Sequence, residues 1–349
     1  MSKIYLKGVS KQYPDFCIKD VNLSFGNKGK VACLFGQSGS GKSTLLNLIS
    51  GLVQPSSGAI IVNNRIFFDK VLDIDLGPEK RDIALIFQQP SLFPNKTIME
   101  NVKFAVKNGK DAECIADLML KQVGMHGYKD KTPQFISGGQ QQLVTLARAF
   151  AQEPSVILLD EPFSSLDAIL RPNTREKVIS LIKKRNLISV FVTHDPLEAL
   201  EIADEIIVME KGKIIMHDSP LNVYYRPKNL KIANLFGHVN HVPGRVEGDK
   251  FVSLWGKFNL PNNFCQNSEF YIRPEGIKIH NQTQCKEDKK NQVCVKAYVS
   301  NVRYFNNTID ILVEGSTYKL KCPIDSLPSE CDILSVRMDP DYLIHIRSY

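Results

Sequence analysis

Apolar and polar positions follow two regimes along the chain, and the change falls near Phe236-Gly237. Before it, short apolar runs are separated by stretches with a helical period. Val31-Ala32-Cys33-Leu34-Phe35 is such a run, followed by a glycine-rich turn. Leu45, Leu48, Ile49 and Leu52 then recur at i, i+3, i+4 and i+7, which predicts one face of a helix. Val156-Ile157-Leu158-Leu159 and Val190-Phe191-Val192 are further buried-strand candidates. Apolar runs alternating with helices predict a largely parallel sheet in an α/β fold.

From about Val242 onward hardly any helical period remains. Val293, Val295, Ala297 and Val299 alternate with other residues, as in a half-buried strand. Thr308–Val313 follows the turn signal Asn306-Asn307, and Tyr318–Lys321 follows Glu314-Gly315-Ser316. This stretch predicts a small, separate β domain, a barrel. The expected organisation is an α/β domain over 1–236 and a β domain over 242–349, with Leu235 to Gly244 as the linker.

The 349 residues are 43% apolar and 23% charged, ordinary for a soluble globular protein of this size. No run of about 18 apolar residues is present, so no membrane-spanning helix is expected. The start, Met1-Ser2-Lys3-Ile4-Tyr5, does not read as a secretory signal. Membrane association is therefore expected to run through a partner. The formal charge of +7 comes from scattered lysines without a dense basic block, which favours a solvated surface over nucleic-acid binding. The eight cysteines, at 17, 33, 114, 265, 285, 294, 322 and 331, form no paired Cys-x-x-Cys motifs, so zinc is not expected. Cys17 and Cys33 lie among apolar residues and read as core side chains, and a reducing cytoplasm fits.

Gly36-Gln37-Ser38-Gly39-Ser40-Gly41-Lys42-Ser43 matches G-x-x-x-x-G-K-[ST] between a predicted strand and a predicted helix. Glycines let such a loop aim its N–H groups inward, and the helix presents its positive end to the same point. Lys42 is expected to reach the β- and γ-phosphates of a nucleotide and Ser43 to ligate Mg²⁺. Asp160-Glu161 directly follows the Val156–Leu159 run, where strand ends point at the ligand crevice. Asp160 is then a Mg²⁺ holder and Glu161 a general base toward water. Alone, this pair would read as a solvated strand end. His194, in Thr193-His194-Asp195, ends another core strand and could donate where charge develops on the γ-phosphate. Ser137-Gly138-Gly139-Gln140 precedes a helix whose stripe is Leu143, Leu146, Ala147 and Phe150. Ser137 can cap it, and the glycines leave amides open to an anion; an ordinary serine cap is the plain alternative.

Together these pieces resemble the nucleotide-binding domain of ABC transporters, over roughly residues 3 to 235. The most specific element is Ile136-Ser137-Gly138-Gly139-Gln140, similar to the family signature L-S-G-G-Q. The resemblance implies a P-loop ATPase with a helical subdomain at about 89–150. It also implies a head-to-tail homodimer in which Ser137, Gly138, Gly139 and Gln140 meet the γ-phosphate held by the opposite subunit. It places Thr44 with the phosphate loop, Tyr13 on the adenine, and Asp167 of Ser164-Ser165-Leu166-Asp167 in the loop that crosses the interface. Gln88 of Phe87-Gln88-Gln89 is matched to the glutamine that senses Mg²⁺ and water and opens the stretch meeting the membrane subunit. Glu161 and His194 match the catalytic glutamate and the switch histidine. Departures are Ile136 for leucine, Leu143 where many relatives have arginine, and Thr145 where alanine is usual.

Tyr271-Ile272-Arg273-Pro274-Glu275 resembles the R-P-E motif in the C-terminal, OB-like (TOBE-type) domains of import ATPases. Asn64 to Phe68, Pro78-Glu79-Lys80-Arg81, Ser91-Leu92-Phe93-Pro94 and Asp160 to Ser164 look closest to iron(III) importers; molybdate and sulfate ATPases share much of this, and sugar or polyamine ATPases less. The implied partners are permease subunits and, indirectly, a substrate-binding protein, at the cytoplasmic face of the plasma membrane. A soluble ABC ATPase of DNA repair or translation is the rival class; about 48 residues between Gln88 and Ser137 leave no room for its long coiled coil. A nucleotide-regulated scaffold is disfavoured by Lys42, Asp160, Glu161 and His194 all being present.

Overall fold

The computed structural model describes residues 3–107, 111–167, 169–260, 268–280, 293–303, 307–323, 327–330 and 332–347. Cys265, Cys285, Asn306 and Cys331 lie outside them. The chain begins with β1 (Ile4–Gln12) and β2 (Cys17–Phe25), then β3 (Val31–Phe35) and α1 (Lys42–Ser50). β4 (Ser57–Val62), β5 (Arg65–Asp69) and the short β6 (Ile74–Asp75) follow, then β7 (Ile83–Ile86). Helices α2 (Ile98–Lys103), α3 (Ala112–Gln122) and α4 (Gly138–Ala151) pack on one another. The chain returns to the sheet with β8 (Val156–Asp160), α5 (Leu170–Lys184), β9 (Ile188–Thr193), α6 (Pro196–Ile202), β10 (Glu205–Glu210) and β11 (Lys213–Asp218).

Two sheets result. One is antiparallel, in the order β2-β1-β4-β5-β6; the other runs β11-β10-β3-β9-β8-β7 and is parallel except for β11. β3 and β9 are buried at every position, and β8 at every position up to Leu159. That is the mark of strands covered on both faces, and it explains why they read as unbroken apolar runs. Ile4, Leu6, Ile60, Leu45, Leu158 and Val190 belong to one core shared by both sheets and α1.

The parallel register is what builds a site. Phe35 pairs with Thr193, Asp160 with Val192 and Ile86 with Leu159. The residues just past these ends, Gly36, Glu161, His194 and Phe87-Gln88, therefore leave the sheet at one carboxyl edge. From behind, the buried Arg81 guanidinium donates to Leu48 O and Ile49 O, both at 2.9 Å, and pairs with Asp75 at 3.1 Å. It satisfies carbonyls that the end of α1 leaves open.

Some expectations need correction. Leu52 is not on the α1 face: Gly51, at φ 86, ends the helix, and Leu52 is exposed. Cys17 is only half-buried, whereas Cys33 is buried. Val293 lies outside the strand Val295–Arg303 and is exposed. On α4, Leu143 is half-buried, while Gln142, Val144 and Thr145 are buried with Leu146, Ala147 and Phe150. The helix is enclosed on more than one stripe.

By its internal contacts the chain divides into two units, Met1–Pro220 and Leu221–Tyr349. The second holds the short helix Leu230–Leu235 and, among the described residues, three sheets whose strands all pair antiparallel. Thr308–Val313 and Ser316–Lys321 form a hairpin closed by Glu314 and Gly315, both at positive φ as a two-residue type I′ loop requires. Their sheet has Ile277–His280 and Ile333–Met338 at its other side, and its core includes Trp255, Tyr318, Ile309 and Val336.

Candidate active site

Gly36 and Gly41 shape the loop after β3. A Cβ on Gly36 would lie 2.3 Å from Met209 O, so only glycine fits. Gly41 has φ 104 and precedes α1 without a side-chain cap, leaving the first-turn amides of a nine-residue helix free of side-chain competition. Gln37, Ser38 and Gly39 are exposed on the loop rim, Ser40 is buried, and Thr44 is half-buried in the first turn. The Lys42 ammonium donates to Gly36 O at 2.8 Å and Gln37 O at 2.9 Å, so the lysine straps the loop beneath it. Burial lowers its pKa, and the nearby Glu161 and Asp160 charges oppose that shift.

Asp160, the last residue of β8, has its carboxyl pKa raised by burial, with the neighbouring Ser43 hydroxyl and the Lys42 charge opposing the shift. Glu161 then departs from strand geometry, with φ 46 and its N–H donating to Val192 O at 3.1 Å. This left-handed residue turns the carboxylate along the sheet edge. His194 Nδ1 lies 2.8 Å from Glu161 Oε1, and Gln88 Nε2 donates to Glu161 Oε2 at 3.2 Å. Ser164 Oγ donates to Glu161 O at 2.9 Å, and the Phe163 ring, buried against Phe191, anchors the loop beyond. Lys42, Ser43, Asp160, Glu161, Gln88 and His194 thus form one group, drawn from four segments of chain.

Ser137, Gly138, Gly139 and Gln140 form a second group at the start of α4. Ser137 Oγ accepts from Gln140 N at 3.3 Å, and Gln140 Oε1 accepts from Ser137 N at 3.0 Å, a capping box. The box does not use the amides of Gly138 and Gly139. A Cβ on Gly139 would lie 2.9 Å from Leu166 Cδ2, so the Leu166 side chain in the 163–167 loop would have to shift to admit one. Gly138 faces open space, and nothing among the described residues requires it to lack a side chain. Asp167, the last residue of that loop, is exposed. Tyr13 is half-buried, with Lys11 Nζ 5.7 Å from its ring centre, and it accompanies Phe16 at 6.5 Å between centroids.

With this geometry in place, the chain can be set beside known proteins. A family model described as ABC transporter matches residues 18–164. Over 338 residues, 95% of this chain and 92% of its counterpart, it is 32% identical to the Fe(3+) ions import ATP-binding protein FbpC of Photorhabdus laumondii. The chain belongs to the ATP-binding subunits of ABC transporters. Among solved cassettes, it is similar to cbiO1 from Clostridium perfringens, part of the ABC transporter complex cbiONQ, with 27% identity and a TM-score of 0.57 over 64% of this chain and 91% of that one. It is also similar to MJ0796, seen as a dimer bound to ADP and Pi after hydrolysis, with 31% identity and a TM-score of 0.54 over 62% and 98% of the respective chains. This ABC subunit is accordingly an ATPase and binds adenine nucleotide.

Other residues of this ABC subunit escaped sequence reasoning. A Cβ on Gly41 would meet Phe16 Cζ at 2.6 Å, so Phe16 roofs the phosphate loop beside Tyr13. Its position near Tyr13 was the only available signal. Thr193 Oγ1 donates to the buried Glu198 at 2.5 Å and accepts from Asp195 N at 3.0 Å, clamping the turn that carries His194. Gln142 is fully buried and bonds to Phe87 O, a contact that no spacing reveals.

The capping box gives a prediction independent of nucleotide. Ser137→Ala removes the acceptor of Gln140 N and is expected to cost about 1 kcal/mol of stability. Thermal unfolding of the nucleotide-free subunit checks it; an unchanged midpoint would show that the cap contributes nothing.

Proposed function

We propose that this subunit powers an iron(III) importer, two copies closing head-to-tail on two ATP molecules and opening after hydrolysis. The observation that carries the chemistry is the convergence of His194 and Gln88 on Glu161, beside Lys42 and the Ser43–Asp160 pair. In this reading the loop 36–44 cradles the phosphates, with Lys42 moving from its carbonyl straps to the β- and γ-oxygens. Tyr13 stacks on the adenine. Glu161 orients the attacking water and accepts its proton, Gln88 holds that water's position, and His194 donates to the oxygens where charge grows.

The donor set fits Mg²⁺, which takes hard oxygens and commonly only one or two protein ligands beside substrate phosphates. Ser43 Oγ and the Asp160 carboxylate would be such a pair, with Gln88, which reaches the adjacent Glu161, beside them. When bound, Mg²⁺ supplies neutralisation of the charge that develops between the β- and γ-phosphates.

Gly138 supports the paired arrangement. Its bareness has no cause among the described residues, but it suits close approach of a phosphate to the α4 amides from a second copy. The permease is taken to dock at the groove of about 560 Å³ beyond Gln88, among Ser91, Phe93, Phe104 and Arg148. The subunit would then sit peripherally on the cytoplasmic face, supplied by a substrate-binding protein across the membrane, with a TOBE-type unit at its C-terminal end. Iron(III) is preferred because the similarity to the FbpC protein spans 95% of the chain.

Uptake measurements test this. Cells without the chain, or carrying Lys42→Ala, are expected to lose energised uptake of radioactive iron(III) while molybdate and sulfate uptake persists. Loss of molybdate or sulfate uptake instead would remove iron from the proposal. Retention of all three would remove transport of these ions.

A further inference from the structure

A buried amide side chain joins the two groups of site residues. Gln142 lies in the second turn of α4 and has no exposed surface. Its Nε2 donates to Phe87 O at 3.2 Å. Phe87 immediately precedes Gln88, whose own Nε2 reaches Glu161 Oε2 at 3.2 Å. Residue 87 is where the chain has just left β7, and Phe87 is 40% exposed, so its side chain is only partly packed. The Gln142 amide holds its carbonyl.

Chemistry singles this contact out. An apolar side chain of similar shape would fill an enclosed position without desolvating an amide. Gln142 bears that cost incompletely repaid, because its Oε1 has no hydrogen-bond partner among the described residues. A group that desolvates poorly and spends its one bond on the carbonyl before Gln88 is placed for orientation, not for packing.

We propose that Gln142 is a positioning residue for hydrolysis: it ties the helix that begins at Ser137 to Gln88 of the same copy. Displacement of that helix, when Ser137 engages the nucleotide of the other copy, is thereby carried to Glu161. The proposal rests on the role given above to Gln88.

A double-mutant cycle tests it. ATP turnover and nucleotide affinity are measured for wild type, Gln142→Met, Gln88→Ala and the double variant, with Gln142→Leu as a second replacement should methionine pack badly. The expected result is a kcat about tenfold to a hundredfold lower for Gln142→Met at unchanged ATP affinity. The double variant is expected to turn over no more slowly than Gln88→Ala alone, because removing Gln88 leaves nothing to position. Fully additive losses, or unchanged kcat in both Gln142 variants, overturn the proposal and leave the reading of Gln88 standing. Wild-type turnover in Gln88→Ala overturns both.

Discussion

Glu161→Gln is expected to lower ATP turnover by roughly 10²–10⁴-fold while ATP binding keeps its wild-type strength. The change swaps one carboxylate oxygen for an amide nitrogen and leaves size and backbone preference nearly unchanged, so the left-handed turn at φ 46 survives. What it removes is the proton acceptor. His194 Nδ1 and Gln88 Nε2 each approach a different oxygen of Glu161, at 2.8 and 3.2 Å. An amide cannot serve two donors there, and it cannot take a proton from water at neutral pH. The phosphate-gripping parts are held by the loop itself: Lys42 rests on Gly36 O and Gln37 O, and Ser43 follows it in the first turn of α1. Affinity should therefore persist where chemistry stops, and the paired, nucleotide-filled state should accumulate. Single-turnover phosphate release beside equilibrium nucleotide binding separates the two. Turnover near wild type would take Glu161 out of the reaction, and a matching loss of affinity would show that its charge organises the loop.

The contrast between these residues and Gln142 shows what a sequence can disclose. The 31–50 segment was legible because strand, loop and helix are consecutive, and each obeys a local rule of period or backbone freedom. Its one misreading, Leu52, came from following the apolar period past Gly51, whose φ of 86 closes the helix. The capping box at Ser137 and Gln140 is equally local. The Thr308–Lys321 hairpin announced itself through Glu314-Gly315. The order of its sheet did not: Ile277–His280 and Val295–Arg303 both pair with Ile333–Met338, a strand far along the chain. Nor did Gln142 to Phe87 O, a bond from side chain to backbone across 55 positions. A carbonyl acceptor belongs to every residue alike, so such a contact leaves no compositional trace. On a helix with polar neighbours, Gln142 reads as one more solvated side chain.

Arg273 presents the same difficulty in the C-terminal unit. In the sequence it is part of Arg273-Pro274-Glu275; in the structure it is fully buried. Its Nη1 donates to Gly237 O at 2.8 Å and to His238 O at 3.3 Å, and its Nη2 donates to Tyr224 O at 3.0 Å. The guanidinium lies 4.1 Å from the Tyr224 ring centre, and the Tyr224 hydroxyl donates to Glu275 at 2.7 Å. One planar cation thus fastens the segment before Asn240 to the strand Ser268–Ile272 that precedes it in the motif. Arg273→Met would leave three carbonyls without this donor, at about 1–3 kcal/mol for each that water cannot reach. The expected loss is about 3–5 kcal/mol, near the low end if the unpartnered Arg273 Nε already weakens the native arrangement. Arg273→Lys should recover only part, because a compact ammonium lacks the planar fork that reaches all three carbonyls while stacking on Tyr224. A chain of two units need not unfold in one step, so the probe must be local. The chain has a single tryptophan, Trp255, buried in the core of this same unit and edge-on to Tyr318 at 5.2 Å. Its fluorescence during urea unfolding therefore reads the C-terminal unit alone. The midpoint should fall sharply for Arg273→Met and less for Arg273→Lys. Equal midpoints for methionine and wild type would mean that the motif's arginine holds nothing together.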